Sequence, residues 1–299
     1  MLGLISQAVG IKRLLRPLLS HPRTAQIIKW AVYIAILINM GEYFADDYVT
    51  WRATVASGVS LAASIEAFST SIDTVAWIGL IFLLELETYQ LTEAAYTRMV
   101  VKLLHVARII FYGMIGYAAY GYIGLALGNY DLEMLGSVNS LCQLADQGLW
   151  LQWGLVDYSE INSADCAALP TDTVWYRFTS DTTIVGGSTL PHIQFMGWID
   201  VLNAILWLIV VLLIEVEVRL QNEDRFSSRL LAPTRLLKTL MYFMLFGNGV
   251  LWASFGYTLY AWDAFLWIFG FWAIELNLAE WEQERIEELA PERATTLPR

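Results

Sequence analysis

Charge is scarce in this sequence. Asp, Glu, Lys and Arg make up 16% of the residues, where soluble domains carry about 25%. Hydrophobic residues reach 57%, and mean hydropathy is +0.50. A chain of 299 residues this poor in charge reads as a polytopic membrane protein, not as one large soluble core. Histidine is as sparse. His21, His105 and His192 are scattered, so neither bis-histidine haem ligation within a bilayer nor an H-E-x-x-H zinc pattern is available. The lysines Lys12, Lys29, Lys102 and Lys238 all fall beside one end of the apolar runs, which leaves no mid-membrane Schiff-base lysine. No catalytic constellation, metal site or cofactor site emerges. The net charge of −11 argues against nucleic acid as a partner.

What the sequence has in abundance is long apolar runs. A hydrocarbon core of ~30 Å needs about 20 apolar residues in a helix. Such runs occur at 26–43, 70–90, 108–128, 195–217, 236–257 and 262–281, predicting an all-α bundle of six spans. Residues 50–69 contain Glu66 and many small polar residues, and are expected to form a loop helix outside the core. Basic residues mark the cytoplasmic side of a membrane protein. With both termini cytoplasmic, fifteen of the 18 Lys and Arg fall on inner segments. The expected location is therefore the inner (plasma) membrane, with the lipid bilayer as partner and room for other subunits or a second copy. The first 25 residues have their basic residues after the apolar part, unlike a cleavable signal. They are expected to form an amphipathic lead-in on the inner surface.

Three runs share a pattern, Trp-x7-Glu-x-(Glu/Asn): Trp77/Glu85/Glu87, Trp207/Glu215/Glu217 and Trp267/Glu275/Asn277. Four residues before each Trp stands Asp73, Asn203 or Asp263. A second pattern, Leu-Leu-x-x-x-Arg, ends at Arg23, Arg108 and Arg235. Together they predict an internal repeat of three hairpins: 26–90, 91–221 and 222–281, followed by an acidic tail at 282–299. The third hairpin is expected to turn at "YAWDA" (260–264). The second carries an insertion at 129–194, expected to be a small outer domain. Its Cys142 and Cys166 would face an oxidising compartment, where disulfides persist.

A charge inside an apolar run is expensive unless paired, and intramembrane ionisable residues default to a functional hypothesis. Positions i and i+2 project about 200° apart on a helix, so Glu85 and Glu87 cannot share one target. Two readings follow. The acids could line a cation or proton route through a channel, transporter or proton-coupled subunit. Alternatively they pair with Arg23, Arg108 and Arg235 and fix the hairpins, in a non-catalytic scaffold or accessory subunit. The Trp residues near the outer Asp or Asn read as an aromatic belt. Gly124 and Gly128 have a GxxxG spacing that permits close helix contact. "FLLE" (82–85) resembles the aromatic-x-x-acid step in the second helix of voltage-sensor domains. No span carries arginine at every third position, so a gating helix is missing and nothing is carried over from the likeness.

Overall fold

The computed structural model describes residues 22–55, 61–87, 97–136, 138–222 and 227–271. Over these residues the chain is mostly helical. Helix α1 spans Pro22–Val55, α2 Leu61–Ala67, α3 Ser69–Glu85, α4 Arg98–Gly128, α5 Leu190–Asn222 and α6 Ser227–Ser254; residues 258–271 form α7. Among the described residues, three helices are long and apolar enough to cross a membrane: Arg98–Gly128, Leu190–Val216 and Pro233–Ser254. That composition fits a membrane protein. The chain divides into two compact units, Met1–Asn39 with Phe246–Arg299, and Met40–Leu245.

Several expected boundaries move. The Leu-Leu-x-x-x-Arg segments at 103–108 and 230–235 are not separate lead-ins, since they lie within α4 and α6. Thr97 caps α4: its side chain accepts from the Val100 N–H at 3.3 Å, satisfying one of the donors a helix start leaves orphaned. Helix then propagates through Arg108 because nothing in 98–128 breaks it. Of residues 50–69, residues 50–55 end α1, residues 61–67 form the short α2 and Ser69 opens α3. The turn expected at 260–264 lies instead at 255–257. Gly256 takes φ +89°, the Tyr257 N–H bonds the Trp252 carbonyl and the Gly256 N–H that of Ala253. This pair of bonds is a Schellman motif, which favours glycine because its backbone is left-handed.

The all-α expectation fails in one place. The insertion holds a five-stranded sheet in the order β1-β4-β5-β2-β3, with β1 at Leu132–Met134, β2 at Trp150–Gln152, β3 at Tyr158–Glu160, β4 at Trp175–Phe178 and β5 at Thr183–Gly186. All its pairings are antiparallel except β2 with β5. Leu141, Leu149, Leu151, Ile161, Trp175 and Ile184 form its small core. Cys142 and Cys166 are disulfide-bonded, with Cα atoms 5.0 Å apart. Phe178 and Val185 pack with Leu190 and Ile193, so the first turn of α5 continues the core of the sheet.

Within the Met40–Leu245 unit, α4 packs on both α3 and α5. Close approach is specific. Gly79 of α3 receives the ring of Phe111, and Gly121 of α4 receives the Ser69 side chain; a Cβ at either glycine would overlap those atoms.

Candidate functional site

Two polar clusters sit along α4, about 20 Å apart by the 1.5 Å rise per residue between Arg108 and Tyr122. The first is at the Arg108 end. Helix α3 widens to a π turn at Leu86–Glu87, a local bulge often found where a side chain must be re-aimed. There the Arg108 guanidinium donates from Nη2 to Glu87 Oε2 at 2.7 Å. The pair ties the end of α3 to α4 about three turns from its start. Its side chains are 35% and 25% exposed for Arg108 and Glu87, so it is screened less than a surface ion pair but not sealed. Tyr112, one turn further along α4, lies within electrostatic reach of Arg108, Glu215 and Glu87. Glu215 on α5 thus belongs to the same region. Glu85 is partly buried one position before the π turn.

The second cluster lies where α1, α3, α4 and α5 meet. Asp47 accepts from the backbone N–H of Ser71 at 2.7 Å. Asp47 stands four residues beyond the apolar run that ends at 43, and burial pushes its carboxyl up to about 6, against the pull of hydrogen bonds from Ser71 and Thr70. Trp77 Nε1 donates to Asp73 Oδ1 at 3.1 Å, so an Asp and a Trp four residues apart close one helical turn. The Trp77 ring meets Trp207 edge-on, with centroids 5.7 Å apart. Tyr122 is buried within reach of Asp73, Asp47 and Asp200 and shares a hydrogen bond with Thr70. Asn203, one turn before Trp207, has a buried Oδ1 without a hydrogen-bond partner among the described residues.

In the other unit, Asn39 donates from Nδ2 to Asp263 Oδ1 at 2.6 Å, joining α1 to α7. Trp267 is buried one turn on from Asp263. An apolar groove there is lined by Phe246, Phe265, Ile268 and Phe269, with no carboxylate on its wall.

The structure therefore brings Glu87 to Arg108 and Tyr112, and Asp73 to Trp77 and Tyr122. Arg235 is exposed on α6. Glu275 and Asn277 lie outside the described residues, as do the side chains of Arg23 and Glu217. No group of three or more His, Cys, Asp or Glu among the described residues is placed to hold a metal ion. Reading the sequence passed over Asp47, Tyr122 and Asn39. The signal for Asp47 was the adjacent pair Asp46–Asp47 directly after an apolar run. Tyr122 and Asn39 gave none, since each is one polar group in an otherwise apolar helix.

Comparison with protein-family models, curated proteins and solved structures returns no match.

Proposed function

We propose that this protein is a six-pass membrane scaffold, an accessory subunit built from three related hairpins whose carboxylates pair with arginines rather than line a conduit. The observation that carries this reading is the Arg108–Glu87 ion pair at 2.7 Å. A route for cations needs carboxylates open to the passing ion, whereas Glu87 already holds a guanidinium. Both termini are cytoplasmic in this proposal, from the asymmetry of Lys and Arg. The disulfide-bonded sheet then faces the oxidising side, carried on a rigid helical frame as the part available to other membrane components.

Charge exchange tests the pairing. Glu87→Arg or Arg108→Glu alone places like charges side by side and should lower the yield of folded protein. The double exchange should restore most of it. A double variant no better than the worse single one means that the pair is incidental, and the scaffold reading loses its support.

A second reading keeps the acids as a proton route. It is favoured by Tyr122 among Asp47, Asp73 and Asp200 and by Tyr112 near Glu87 and Glu215, two polar stations on one helix. Under this reading Glu215→Gln abolishes proton flux while the protein still folds.

A further inference from the structure

The last turns of α1 run against the sheet domain. Thr182 Oγ1 donates to the Ala53 carbonyl at 2.7 Å. The Arg52 guanidinium lies over the Trp150 ring, 5.3 Å from its centroid. Tyr158 is buried and shares a hydrogen bond with Thr50. Ala53, whose carbonyl makes the Thr182 contact, and Val55 are buried, with 0% and 4% exposure. Asp46 stands one turn before Thr50 and Asp157 directly precedes Tyr158, so the Thr50–Tyr158 bond brings these two carboxylates from opposite partners within electrostatic reach, with Glu42 one turn back on α1. Arg52, the nearest basic residue on α1, is committed to Trp150, and Arg177 of β4 is turned to Asp181.

We propose that Asp46 and Asp157 make the seating of the sheet domain on α1 sensitive to acid: the joint is held closed while at least one of the two is protonated, and is loosened when both ionise. The chemistry is that of two carboxylates at one site, which cannot both ionise without repulsion. The surroundings point the same way. Burial, then Asp157, then Glu42 raise Asp46 above its ordinary value, and burial raises Asp157. Asp47 stands beside Asp46 but is turned to Ser71. Asp181, raised mainly by burial, is held by Thr183 and Arg177. The sign follows. Carboxyls raised in the seated state favour seating fully below the ordinary carboxylate value, and that contribution is lost as pH rises through the raised value. This holds whichever side of a membrane the domain occupies.

Both native cysteines are disulfide-bonded, so Ala53→Cys provides a single thiol at the joint. Full-length protein in lipid nanodiscs would be treated with a methanethiosulfonate reagent, with and without Asp157→Asn. Comparing the two at the same pH cancels the ionisation of the thiol itself. At pH 8 the thiol should react at least about threefold faster with Asp157 present, because both carboxylates are then ionised and repel. At pH 4.5 the ratio should fall to about one. Equal rates at pH 8, or a ratio unchanged between the two pH values, would overturn the proposal. If Ala53→Cys does not fold, amide hydrogen exchange over residues 180–185 in the chain with Ala53 intact reads the same ratio.

Discussion

Replacing Asp47 by Asn should stabilise this protein at neutral and alkaline pH. Asp47 is 6% exposed and its carboxyl is raised from 3.8 to about 6. A tenfold change in a protonation equilibrium is worth about 1.4 kcal/mol, so the ionised side chain costs the folded state about 3 kcal/mol above pH 7. Asn removes the charge while its Oδ1 can still accept from the Ser71 N–H, now bonded at 2.7 Å. The hydrogen bonds from Ser71 and Thr70 already enter the value of about 6, and a neutral amide stands in for the protonated carboxyl, so the gain is about 3 kcal/mol above pH 7. The pH window follows from the direction in which the carboxyl is moved. A raised carboxyl is protonated first in the folded state, so the wild-type chain recovers stability as pH falls from about 6 towards 3.8. The advantage of Asp47→Asn should therefore shrink by about half near pH 5 and vanish near pH 4. The assay is reversible unfolding in mixed detergent micelles, with both proteins measured at each pH. An advantage that is the same at pH 8 and pH 4.5 would refute the argument, because a change in packing or propensity alone carries no such pH dependence. A loss of stability at pH 8 would show that the Ser71 bond outweighs the burial of charge.

Three other outcomes follow from the same contacts. Cys142→Ser with Cys166→Ser opens a bridge between residues 24 apart in sequence, which should lower the unfolding free energy of the sheet domain by about 3 kcal/mol on the chain-entropy model; protease resistance of residues 129–189 before and after reduction reads it. Asp172→Ala removes the acceptor for the Ser188 N–H and hydroxyl and for the Thr173 N–H, and should make the 172–188 region the first to exchange its amide hydrogens. Since those bonds hold Asp172 down at about 2, its contribution is present above the ordinary carboxylate value and lost as pH falls through about 2, so the variant and the parent should converge in strong acid. Gly256→Ala forces a side chain onto φ +89° and should cost about 1 kcal/mol, seen as a lower midpoint in the same unfolding assay.

The long helices were legible because their signal is local. Residues 109–128 carry no charged side chain, so composition alone predicts a helix able to cross a membrane, whereas its first turns from Arg98 to Arg108 lay outside the expected run. The disulfide was legible from two cysteines placed in one polar insertion. The sheet was not, because its strands are three or four residues long, too short for an alternating pattern to stand out from turns. The turn at Gly256 was misplaced because Asp263 looked like a loop residue, whereas it is helical and bonded to Asn39. The partner of Arg108 was beyond reach for a different reason. Three arginines and several carboxylates allow many pairings, and the π turn that presents Glu87 depends on how α3 meets α4. Asp47 is a similar case. The Asp46–Asp47 pair after an apolar run marks the place, but nothing in "FADDYV" says which carboxylate is buried under the start of α3.

Flux through the purified protein tests the central claim most directly. Liposomes containing the full chain, loaded with a pH-sensitive dye and challenged with a proton gradient and then with K⁺ and Na⁺ gradients, separate a scaffold from a conduit. The account predicts leak rates equal to those of protein-free liposomes, unchanged by Glu215→Gln. Proton or cation flux above that background, abolished by Glu215→Gln in protein that still folds, would contradict it and make the acids a pathway.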